Sequence, residues 1–192
     1  MLQRLYDWTM AQADRPGALW VLALVAFVES SVFPIPPDVL MIPMILAAPH
    51  RAWLIAGVAT LASVTGGLLG YGIGYFFYES IGAPILGALG KAEAMAEFNA
   101  RFNGVGFWAV LIAGITPFPY KVITIMSGWT AMPMATFLFT SVVARSLRFF
   151  IVAGLLRAFG APIRDFIEKR LGLVFVAFVI VLLGGFYLVR HL

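Results

Sequence analysis

The sequence predicts an all-α integral membrane protein. The expected fold is an inverted repeat of two re-entrant helical hairpins, each followed by a transmembrane helix, plus a C-terminal transmembrane helix. Three observations lead there. Of the 192 residues, 62% are hydrophobic and 11% charged, against roughly 45–50% and about 25% in a soluble domain. Mean hydropathy is +0.97. Apolar segments alternate between lengths that can cross a bilayer and lengths that cannot. Finally, two proline breaks, FPIPPD at Phe33–Asp38 and TPFPYK at Thr116–Lys121, recur in matching surroundings.

The whole chain, 1–192, reads as a single membrane domain. Residues 1–17, MLQRLYDWTMAQADRPG, carry Asp7 and Asp14 and lack the small-residue cleavage site of a signal peptide. Leu2, Leu5, Tyr6 and Met10 recur near helical spacing, so an interfacial N-terminal helix is expected. Residues 18–50 form the first hairpin. Its apolar arm from Ala18 to Phe33 would be about 24 Å long as a helix, short of the roughly 30 Å hydrocarbon core. Its second arm, Val39 to Ala48, is shorter still. Residues 51–84 are long and apolar enough to cross. Residues 85–103 include KAEAMAEFNARFN, an amphipathic connector. The second hairpin covers 104–130, a crossing helix 131–158, and the C-terminal crossing helix 171–190.

The two breaks align. Pro34 and Pro36 match Pro117 and Pro119, and Asp38 matches Lys121. Each break leads into a long crossing segment that ends in Gly-Ala-Pro, at Gly82-Ala83-Pro84 and Gly160-Ala161-Pro162. A re-entrant hairpin returns to its own side, and the crossing after it moves the chain over, so the second hairpin enters from the opposite face. That is the inverted-repeat arrangement of many transporters. Arg4, Arg15, Arg51, Arg157, Arg164, Lys169 and Arg170 fall on the N-terminal side; Lys91, Arg101 and Arg190 fall on the other. The positive-inside rule therefore places the N-terminus in the cytoplasm.

Five charged residues lie within apolar segments: Glu29, Asp38, Lys121, Arg145 and Arg148. A charge near the bilayer centre costs at least about 2.5–3.5 kcal/mol, so it faces a cavity or a partner. One reading is an acid/base cluster lining a polar path; the other is ion pairs that lock the hairpins. Arg145 and Arg148 are three apart on one helical face, where lining the path and snorkelling to the interface are both open. The breaking prolines, Pro34, Pro36, Pro37, Pro117 and Pro119, remove backbone donors and stop helices within the membrane. A helix starting after either break points partial positive charge inward, which favours an anion such as phosphate. Gly66, Gly70 and Gly74 repeat at four-residue spacing, read here as close helix packing.

Other chemistry is not expected. Cysteine is absent, and His50 and His191 are distant from each other and show no ligand pattern, so no metal or cofactor is predicted. No nucleophile–base arrangement marks an enzyme, and no compact basic run marks a nucleic-acid binder.

Taken together, Glu29, the break ending at Asp38, the GYGIGY crossing, TPFPYK and ARSLRFF resemble the DedA family of the VTT (SNARE-associated Golgi protein) superfamily. The likeness is to its YqaA-like short branch and covers Val21 to Gly160. The resemblance implies opposed re-entrant hairpins and movement of anionic lipids, polyprenyl phosphate or phospholipid, between leaflets of the bacterial inner membrane, as a flippase or scramblase. Coupling to protons is also implied for members. The family's hairpin acids correspond to Glu29 and Asp38. The chain departs from the wider family's Arg-Phe-x-Pro-x-x-Arg pattern, since TPFPYK keeps only Lys121 as a base. Lys121, with Arg145 and Arg148, would then receive the headgroup. Two alternatives stay open: a proton- or cation-coupled exporter of small solutes, and a non-transporting protein whose charges are structural. Whether the chain forms a homo-oligomer is also open.

Overall fold

A computed structural model describes residues 17–32, 36–116, 118–160 and 162. The expected N-terminal helix (1–17, save its last residue), the C-terminal crossing helix (171–190), Pro34 and Pro117 lie outside the described residues. The described residues are mostly helical, with no strand among them.

Helix α1 is Ala18–Glu29, twelve residues and about 18 Å long. It ends because Ser30 and Ser31 turn their hydroxyls back onto the helix, Ser30 Oγ to the Ala26 carbonyl at 2.9 Å and Ser31 Oγ to that of Phe27 at 3.1 Å. The Ser31 bond satisfies a carbonyl that the helix end leaves open, while the Ala26 carbonyl also accepts the Ser30 amide. Helix α2, Asp38–Ala47, begins where Pro36 and Pro37 supply preset backbone and lack donors that a first turn would waste. Asp38 in its first turn complements the helix dipole. A 3₁₀ turn, Pro49–Arg51, leads into α3, Ala52–Phe77. A π-helical turn at Tyr78–Gly82 joins α3 to α4, Ala83–Ala88, so the chain is helical over 40 residues, Pro49–Ala88. That helix ends in a glycine cap: Gly90 takes φ +67°, and the Lys91 amide reaches back to the Leu86 carbonyl at 2.9 Å.

Helix α5, Ala92–Ile115, is followed after the second break by the ten-residue α6, Tyr120–Trp129, and then by α7, Met134–Gly160. The Pro49–Ala88 and Met134–Gly160 helices are long and apolar enough to cross a membrane. Helices α1, α2 and α6 are too short to cross alone.

One boundary differs from the sequence reading. Residues 85–88 of the expected connector end α4, and its part from Ala92 to Asn103 forms a single helix, α5, with the hairpin arm from 104. Composition changes at Asn103–Gly104, but nothing there removes a backbone donor. The polar half stays helical with its Glu97–Arg101 pair exposed, one turn apart at 2.5 Å.

The core is two apolar clusters. Leu22, Met41, Ile45, Ile55, Phe149 and Leu156 form one, from α1, α2, the start of α3 and the end of α7. Tyr71, Val110, Tyr120, Ile123, Met132 and Phe137 form the other, from the later part of α3, α5, α6 and the start of α7. On both long helices the buried polar residues fall between these clusters in sequence: Thr60 and Ser63 on α3, and Thr140, Ser141 and Arg145 on α7.

Candidate functional site in the polar seam

The seam begins with backbone approach. A Cβ on Gly66 would overlap the Phe27 carbonyl of α1, and one on Gly74 would overlap the Ile125 carbonyl of α6. Between them, a Cβ on Gly70 would strike Thr124 of α6 and lie 3.1 Å from the Ser30 carbonyl. The glycine face of α3 thus holds both short helices at once, and close contact there lets polar groups from α1, α3, α6 and α7 meet.

At the centre lies Arg145, 1% exposed. Its Nη2 donates to Glu29 Oε2 at 3.1 Å and its Nε to Ser63 Oγ at 2.6 Å. Ser63 Oγ is 2.6 Å from Ser30 Oγ, which is 3.2 Å from Glu29 Oε2. Arg145, Ser63, Ser30 and Glu29 therefore lie in a ring of hydrogen-bonding contacts, in which the one Ser30 hydroxyl proton is shared between Glu29 and the Ala26 carbonyl. The guanidinium also lies between two aromatic rings, 4.7 Å from the Tyr120 centroid and 4.5 Å from that of Phe149. Burial of a charge is tolerable where pairing, hydrogen bonds and π faces replace water in this way.

A second pair lies nearer the surface. Arg148 Nη2 donates to Asp38 Oδ2 at 2.6 Å, with both side chains 17% exposed. Arg148 Nη1 donates to the Thr116 carbonyl at 2.5 Å, where α5 ends. One guanidinium thus ties the start of α2 to the second break. A cation at a helix C-terminus is also favoured by the helix dipole.

Lys121 does not pair with Asp38, its counterpart in the repeat. Its Nζ donates to the Val32 carbonyl at 3.3 Å. Among the described residues the acids are held by the arginines of α7, and Lys121 has no carboxylate partner. Thr124 Oγ1 adds another crossing contact, 3.0 Å from the Ser30 carbonyl. Pro36 and Pro37 precede α2, and Pro119 precedes α6. Arg145 does not snorkel; it is the most enclosed charge described.

Sequence reasoning passed over Ser30, Ser63, Thr124, Tyr120 and Phe149. Ser63 had a signal: it stands one turn before Gly66, on the same face of an otherwise apolar helix. Tyr120 sits inside TPFPYK, but nothing local tells that its ring will cover an arginine 25 residues on.

Short broken helices packed on two long apolar ones, with paired charges held between them, fit an all-helical membrane protein. The VTT domain family model matches residues 35–158. The chain is 37% identical over 168 residues to an uncharacterized protein of Haemophilus influenzae, covering 85% of this chain and 87% of that one. An uncharacterized homolog from Histophilus somni matches with the same identity and coverage. No solved structure matches. The chain belongs to the VTT-domain family, the family of the DedA proteins.

Proposed function

We propose that this protein is a DedA-type transporter in the bacterial inner membrane, with its N-terminus in the cytoplasm. It moves an anionic lipid with a phosphate headgroup, of the polyprenyl phosphate or phospholipid class, between leaflets. On this reading the pairs α1/α2 and α5/α6 are re-entrant hairpins from opposite faces. Their support is the repeated order of proline break, ten-residue helix and long helix.

The observation that carries the proposal is the charge balance of the seam. Two acids, Glu29 and Asp38, are paired with Arg145 and Arg148 of α7, and Lys121, on the Val32 carbonyl, adds a third base with no carboxylate partner among the described residues. An excess cation in an apolar setting is relieved by an anion. The contacts of the outer pair are polar and can be exchanged: protonating Asp38 frees its arginine for a headgroup, and releasing the headgroup restores the pair. Asp38 is accordingly the proton carrier that gates the headgroup, and Glu29, the second buried acid, is a candidate for the proton path.

Reconstitution into liposomes tests this directly. Leaflet exchange of labelled polyprenyl phosphate and phospholipid is followed against protein-free vesicles, and equal rates sink the proposal. A second reading, that the charges are purely structural, draws on the near-complete burial of Arg145. It expects Glu29→Gln to lower stability while leaving any measured exchange unchanged.

A further inference from the structure

The two arginines of α7 are one turn apart but differently equipped. Arg145 has its Nε on Ser63, its Nη2 on Glu29, and aromatic rings against it. Side-chain exposure in its pair is 2% for Arg145 and 12% for Glu29. To release Glu29, it would have to break the ring of contacts and leave two π faces.

Arg148 is different. Its Nη1 caps the end of α5 on the Thr116 carbonyl. Along its other edge, Nη2 meets a single oxygen of Asp38, and Nε is buried with no partner among the described residues. A guanidinium presents Nε and Nη2 as a parallel fork that fits two oxygens of one oxyanion. Asp38 fills half of that fork. A buried donor left unmade is costly, so a ligand that fills both positions has an advantage over the internal carboxylate. Phosphate, as a monoester or diester, offers two oxygens at the right separation. The pair is also reachable, with each side chain 17% exposed.

We infer that the arginines have separate roles: Arg145 is a permanent brace, and Arg148 is the anion receptor, on which a phosphate group displaces Asp38. Asp38 is thus an internal competitor for the site. This assignment deepens the transport reading by naming the group that takes the headgroup. It rests on that reading only for the ligand's source, since the chemistry is the same for a lipid phosphate and for free phosphate.

The test is ligand-dependent thermal stabilisation of the full chain in detergent micelles. The probes are dodecyl phosphate and inorganic phosphate, with dodecanol as the uncharged control. Stabilisation rises with ligand concentration over its dissociation constant. Dodecyl phosphate is expected to stabilise the native protein and dodecanol is not. Asp38→Asn, which removes the competitor, is expected to bind dodecyl phosphate roughly fivefold more tightly, the equivalent of about 1 kcal/mol for a partly exposed pair. Arg148→Lys keeps the charge and the fold but loses the fork, and is expected to bind at least about tenfold more weakly. Ser63→Ala, which loosens only the brace, is expected to lower the starting stability and leave phosphate affinity unchanged.

Unchanged or weaker binding by Asp38→Asn overturns the assignment, as does native affinity in Arg148→Lys. If inorganic phosphate binds as well as dodecyl phosphate with the same dependence on Asp38 and Arg148, the site holds and its ligand is the free anion. No leaflet exchange occurs in micelles, so the two readings fail separately. Phosphate binding on Arg148 without lipid exchange in liposomes refutes transport alone. Lipid exchange that persists at the native rate in Arg148→Lys refutes this receptor alone.

Discussion

Gly72 and Gly74 stand two residues apart on α3, and adding one methyl group to each should move stability in opposite directions. At Gly74 an ideal Cβ would lie 2.8 Å from the Ile125 carbonyl carbon and 2.9 Å from the Trp129 amide nitrogen, and would overlap the Ile125 oxygen. These are backbone atoms of α6, which cannot rotate away as a side chain can. Relief requires α6 to back off α3 by at least about half an ångström, forfeiting dispersion contacts along the whole seam. Overpacking of this kind costs about 1–3 kcal/mol, and a backbone-to-backbone clash belongs at the upper end. The gain in helix propensity from glycine to alanine returns about 1 kcal/mol. Gly74→Ala should therefore lose about 2 kcal/mol net, roughly 4–8 °C in midpoint for a chain of this size. At Gly72 no atom lies within 4 Å of the added Cβ, so Gly72→Ala should keep the propensity gain, up to about 1 kcal/mol. Thermal unfolding in detergent, followed by far-UV circular dichroism and tryptophan fluorescence, reads both. A Gly74→Ala protein as stable as Gly72→Ala would refute the close approach of α6 to α3.

Other outcomes follow from the same geometry. Arg145→Met leaves Glu29 buried without its partner and should cost about 3–5 kcal/mol; the Glu29→Gln/Arg145→Met double variant should recover more than half of that loss in the same unfolding assay. An Asp38→Arg/Arg148→Asp exchange should restore stability lost by either single change, whereas Asp38→Lys/Lys121→Asp should not, because Asp38 pairs with Arg148. Ala131 holds φ +49° in the turn after α6, a left-handed conformation that costs a residue with a Cβ about 1 kcal/mol; Ala131→Gly should raise the unfolding free energy by up to that amount.

Much of the helical layout was legible in the sequence, for local reasons. A proline lacks a donor wherever it sits, so the breaks before α2 and α6 could be placed from residue identity alone. Segment length against bilayer thickness separated the short helices from the long ones. The split of α5 at 103/104 was misplaced because a change in composition resembles an end, while only a missing donor or a cap makes one.

The sequence by itself determined which residues would be costly in an apolar setting: Glu29, Asp38, Lys121, Arg145 and Arg148. It also determined that α3 would carry a face of small residues. Partnership was decided only by the tertiary structure. Glu29 and Arg145 are 116 positions apart, and Asp38 and Arg148 are 110 apart. The repeat matched Asp38 with Lys121, but matched positions in a repeat are equivalent, and equivalence does not require contact. What brings Glu29 to α7 is the packing of α1 beside α6 on one glycine face, and what brings Asp38 there is the packing of α2 in the apolar cluster shared with the end of α7. That packing also sets the difference between the arginines: a turn of helix carries Arg145 between Tyr120 and Phe149 and leaves Arg148 at the edge, with half of its fork unfilled.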